Sequence, residues 1–91
     1  MDRKKQFLEV CTELSEIFEK KNNAYGDDYF SGGYSDVERW MSIRRKIARL
    51  QAFYDGKTEG LPDETTDDTW KDLAIYCVME LIKRESERNG L

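Results

Sequence analysis

Apolar residues recur every three or four positions along most of this chain. Phe7, Leu8, Cys11, Leu14 and Phe18 form the first such series, and Val10 and Ile17 widen it. That period marks one face of an α-helix. It predicts a first helix from about Asp2 to Asn22, ended by Asn22-Asn23 and Gly26. A second series, Trp40, Ile43, Ile47, Leu50 and Tyr54, is flanked by Val37, Met41 and Ala48 and predicts a helix over 35–54. Its start is well marked. Ser35-Asp36-Val37-Glu38 has the S-x-x-E form in which the serine caps and the glutamate reaches back, and Asp55-Gly56 stops the helix. In the third segment Trp70, Leu73, Ala74, Cys77 and Leu81 share a face, and Ile75, Val78, Met79 and Ile82 extend it past half the circumference. That helix spans about 66–88. Thr65 or Thr66 caps it, Asp67 and Asp68 sit in its first turn, and Asn89-Gly90 ends it.

The stretch from Gly56 to Thr66, with Pro62, reads as a loop. The expected fold is therefore all-α: a three-helix protomer forming a single domain over residues 1–91. An apolar stripe as wide as that of the third helix needs cover on two sides. It predicts a symmetric homo-oligomer, most simply a dimer. The alternative is a closed three-helix bundle with a few exposed apolar residues.

Composition narrows the chemistry. One Pro and six Gly leave too little punctuation for an all-β chain, and eleven aromatic residues are too many for a disordered polar tail. There is no His, which excludes a Ser-His-Asp triad, a Cys-His pair and any imidazole zinc site. The two cysteines, Cys11 and Cys77, lie among apolar neighbours and read as reduced core residues. The opening Met1-Asp2-Arg3-Lys4-Lys5 leads into an amphipathic stretch and not an apolar one, so no signal peptide is visible. The expected location is a cytoplasm.

The net charge is −4, which gives the chain no global attraction to nucleic acid. The charge is nevertheless uneven. Arg39, Arg44, Arg45, Lys46 and Arg49 form a run without an acid, whereas Asp55 to Asp72 holds seven acids and two lysines.

Three features could carry chemistry. Arg44 projects into the middle of the second helix's apolar stripe, one turn beyond Trp40. A desolvated arginine needs an anion, either Asp68 or Asp72 of the third helix or a bound phosphate. Asp68 and Asp72 stand one helical turn apart. They read either as a Mg²⁺ site or as charges that stabilise a helix start and pair with Arg44 or Lys46. The loop Tyr25-Gly26-Asp27-Asp28-Tyr29-Phe30 is rich in aromatics. Its rings could stack on a base above the cationic helix, or could plug the end of the bundle.

Three short motifs give these residues a context: Lys21-Asn22-Asn23-Ala24-Tyr25-Gly26, then Lys46-Ile47-Ala48-Arg49-Leu50, then Asp68-Thr69-Trp70-Lys71-Asp72-Leu73-Ala74-Ile75-Tyr76, with Met79 beyond. In order and spacing they resemble the nucleotide modification associated domain, a small and mostly phage-borne family. The resemblance runs from about Leu8 to Ile82. It implies a link to modified nucleotides and, for a phage-encoded chain, the host cytoplasm. More distantly the chain is similar to the MazG-like all-α nucleoside triphosphate pyrophosphatases, which hold Mg²⁺ on two acidic motifs. Asp68 and Asp72 resemble the second of these motifs. Ile43-Arg44-Arg45-Lys46 stands where the first would be, which replaces metal ligands with phosphate ligands.

The expected function is binding of a nucleotide or other phosphorylated small molecule at a helix–helix or subunit interface, with catalysis left open. Arg44, Lys46 and Arg49 would hold phosphates, Tyr25 or Tyr29 would stack on the base, and Gly26 and Asp27 would shape the approach. Asp68 and Asp72 would hold Mg²⁺ or fix the arginines. The alternatives are a Mg²⁺-dependent nucleotide pyrophosphohydrolase and a protein-binding module that targets a host factor.

Overall fold

The computed structural model describes residues 2–57 and 65–90. The expected loop around Pro62 lies outside the described residues, as do Glu59, Asp63 and Glu64 of the acidic run. The chain is all-α: α1 (Arg3–Ala24), α2 (Asp28–Ser31), α3 (Asp36–Tyr54) and α4 (Thr66–Arg88). No strand occurs among the described residues.

Local chemistry sets the helix ends. Asp2 caps α1 by accepting from the Lys5 N–H at 3.1 Å. Two successive left-handed residues, Gly26 and Asp27, both with φ 63°, then reverse the chain. The Asn22 amide steadies the turn by donating to the Asp27 carboxylate at 2.9 Å. The turn delivers the one-turn helix α2, which periodicity did not foresee in the aromatic loop. Helices α3 and α4 both begin with complete capping boxes, Ser35 with Glu38 and Thr65 with Asp68.

Helix α3 packs along α4, and α1 crosses α4 more sparsely. Ion pairs Lys71–Glu13 and Lys21–Asp72, both 2.7 Å, hold that crossing. Helix α2 joins α1 to α4 through edge-to-face rings: Phe18 with Phe30, Phe30 with Tyr29, and Tyr29 with Tyr76. Its last turn is held by Lys83, which donates to the Phe30 carbonyl at 3.1 Å.

The core is small. Ile43, Leu50 and Ile75 are its buried apolar residues, joined by Arg39 and Thr69. This corrects three expectations. Cys11 and Cys77 are free thiols at the surface of the chain and not core residues. The apolar stripe read on α3 is two faces: Ile43 and Leu50 point inward, whereas Trp40, Ile47 and Tyr54 are exposed. Arg44 belongs with the second set and is exposed; the arginine drawn into the protein is Arg39, 2% exposed.

Candidate functional site: a cationic, tyrosine-lined cavity

Arg39 is the centre of a polar knot. Its Nε donates to Glu80 Oε1 at 2.7 Å, and its Nη1 donates to the Tyr34 carbonyl at 2.7 Å. Glu87 lies 3.3 Å from the same Nη1. Glu80 also accepts from the Tyr29 hydroxyl and from Arg84 Nε, each at 2.8 Å. Burial pushes the Glu80 carboxyl up, but the bonds from Arg39, Tyr29 and Arg84 outweigh it and hold the group below the usual carboxylate range. Burial and the carboxylate beside it push the Tyr29 hydroxyl well above an ordinary phenol, so it stays a donor. Among the described residues no buried side-chain polar atom lacks a partner. The knot ties α2 and the start of α3 to α4.

Beside the knot opens a cavity of about 770 Å³ between α1, α2, α3 and α4. One end is basic. Lys21 from the last turn of α1 and Lys46 from α3 meet at Asp72, at 2.7 Å and 3.4 Å, and Arg45 lines the wall beside them. Lys46 also lies over the Tyr76 ring, 5.7 Å from its centre. The other end is acidic, with Asp28 and Glu38 in the wall. There Asp28 accepts from the Tyr34 hydroxyl at 2.8 Å, a bond that raises the Tyr34 pKa. From Glu38 to Lys46 the helical rise is about 12 Å. Tyr25, Tyr29, Tyr34 and Tyr76 supply the aromatic surface between the two ends.

Of the residues expected from sequence, Tyr25, Tyr29, Lys46 and Asp72 line this cavity. Gly26 and Asp27 form the turn that presents its aromatic wall. Arg44, Arg49 and Asp68 are not among its walls. Sequence reasoning assigned no site role to Lys21, Asp28, Tyr34, Arg45 or Tyr76. For Arg45 a pointer was available: it follows Glu38 by seven residues and Ser42 by three, which puts all three on one face.

Asp68 and Asp72 are both engaged by neighbouring groups of the chain. Asp68 spends its carboxylate on the start of α4, accepting from the Thr65 N–H, and bonds from Thr65 hold its pKa low. Both oxygens of Asp72 face ammonium groups. Among the described residues no group of three or more His, Cys, Asp or Glu is placed to hold a metal ion. Among the described residues no helix is long and apolar enough to cross a membrane. Set beside protein-family models, curated proteins and solved structures, the chain matches none of them.

Proposed function

We propose that this protein binds a nucleotide, or a closely related phosphorylated small molecule, in the cavity between its four helices, and that it does so as a homo-oligomer. One observation carries the reading. Three short motifs, on α1, α3 and α4, send Lys21, Tyr25, Lys46, Asp72 and Tyr76 into one cavity. These are five of the positions on which the resemblance to the nucleotide modification associated domain rests.

The chemistry of the walls supports a ligand with distinct ends. Lys21 and Lys46 share one carboxylate, which leaves one positive charge uncompensated. Arg45 adds another, which no acid among the described residues neutralises. Two surplus charges suit a phosphate dianion, and the guanidinium fork matches its oxygens. The tyrosine rings offer faces for a base. Asp28 and Glu38 are acceptors for the N–H groups of a base or the hydroxyls of a sugar. The order along α3 is phosphate at Lys46, ring in the middle, donors at Glu38.

A titration of wild-type protein with nucleoside mono-, di- and triphosphates, each with and without Mg²⁺, tests this. At least one should bind without Mg²⁺, and a ligand at 100 times its Kd should stabilise the fold by about 2.7 kcal/mol. Lys46→Ala should weaken binding by about tenfold or more, the loss of one charge-assisted hydrogen bond. Arg44→Ala should bind like wild type. A flat panel, or unchanged binding by Lys46→Ala, overturns the proposal. Mg²⁺-dependent release of pyrophosphate would replace it with the hydrolase alternative.

A further inference from the structure

We infer that the outer face of the α3–α4 pair is the interface of a symmetric homodimer. Both helices carry a second apolar face that the protomer leaves bare. At about 100° per residue, Trp70, Cys77 and Leu81 lie nearly opposite the inward residues Ile75 and Met79 of α4. Trp70 is 50% and Leu81 65% exposed. On α3, Trp40, Ile47 and Tyr54 are 51%, 44% and 67% exposed. The two faces are continuous, because Trp70 Nε1 donates to the Tyr54 hydroxyl at 3.1 Å across the helix pair. From that bridge the helices run antiparallel, so seven residues on, Ile47 comes level with Cys77. Helix α1 pairs with α4 through Lys71 and Asp72, which stand at least about 80° around that helix from Trp70 and Leu81.

Area and composition argue for a second copy. The chain exposes 7120 Å², whereas a monomeric protein of its mass exposes about 5,500 Å². The difference, about 1,600 Å², is spread over the whole chain, including Phe7, Leu8 and Val10 of α1, and exceeds the 800 Å² that each partner contributes to a standard interface. The patch has Trp and Tyr rings at its centre, as interface cores do, with charges toward its ends: Asp36 lies on the line of Tyr54 in α3, and Arg84 and Arg88 continue the α4 face. A two-fold axis through its middle lets the same patch serve both partners, making a four-helix layer of two α3–α4 pairs. The residues of this face are distinct from the cavity walls named above, so its failure and the failure of the nucleotide reading are separate results.

Sedimentation of the full chain should give a dimer at micromolar concentration. Trp40→Glu and Leu81→Lys should each sediment as monomers while keeping helical circular dichroism, and Phe7→Glu on α1 should remain dimeric. A wild-type monomer, or dimers that survive both face substitutions, overturns the inference. Thiol labelling of the wild type needs no variant. Cys77 is exposed in a lone protomer. In the dimer it should react with iodoacetamide at least about tenfold more slowly than in urea-unfolded protein, because reactivity follows access. Labelling as fast in the native protein as in the unfolded one contradicts the interface.

Discussion

At the scale of single residues, the arginine that matters for the fold is the one that periodicity passed over. Arg39 and Arg44 both interrupt the apolar series of α3, and a helical wheel alone does not say which flank of that series faces inward. The bond to Glu80, 41 residues away, settles it for Arg39, and no short-range pattern reports it. Glu80→Gln leaves the buried Arg39 with only the half-exposed Glu87 as a counter-charge. The expected cost is about 3 kcal/mol, measured by denaturant unfolding. The acid limb of stability should change as well. The Glu80 carboxyl is held low in the folded protein, so its contribution is complete above the ordinary carboxylate pKa of about 4.3 and is lost as pH falls through the lower, folded value. Melting temperatures from pH 6 to pH 3 should fall for the wild type. In Glu80→Gln this part of the slope should be missing.

At the scale of elements, the sequence was most legible where a side chain acts on its own backbone. Ser35, Thr65 and Asp2 cap helices whose starts could be placed to within a residue or so. Helix α2 was illegible because four residues complete only one turn, too few to show a period. Its position depends on the left-handed pair Gly26-Asp27 and on rings from α1 and α4. The cavity was half legible for the same reason. Residues inside motifs, such as Tyr25, Lys46 and Asp72, could be nominated from spacing. Asp28 and Tyr34 could not, because α2 brings them to the wall. The caps are directly testable. Ser35→Ala removes one half of a reciprocal box and should destabilise the protein by about 1 kcal/mol, seen as a drop in melting temperature of several degrees. The loss should leave nucleotide affinity unchanged once the variant is folded, since Ser35 is not among the cavity walls.

At the scale of the whole molecule, the protomer is a flat body of 44 × 37 × 22 Å with a radius of gyration of 14.8 Å. A well-packed chain of this length would have about 12 Å. The third predicted helix has a wide apolar stripe, and its residues Trp70, Val78, Leu81 and Ile82 are exposed in the single chain. Helix α3 has the cavity on one flank and the bare face on the other. If a second copy covers that face, folding and association are linked, and stability depends on concentration. The wild-type melting temperature should rise steadily as protein concentration is raised from about 1 to 100 µM, whereas that of Trp40→Glu should be lower and independent of concentration. Trp40 lies outside the cavity wall. Monomeric Trp40→Glu should therefore still bind whichever nucleotide the wild type binds, with the same dependence on Lys46. Loss of binding on dissociation would instead place part of the site across the two-fold axis. A nucleotide that raises the melting temperature of wild type and Trp40→Glu equally would show that the two flanks of α3 work independently.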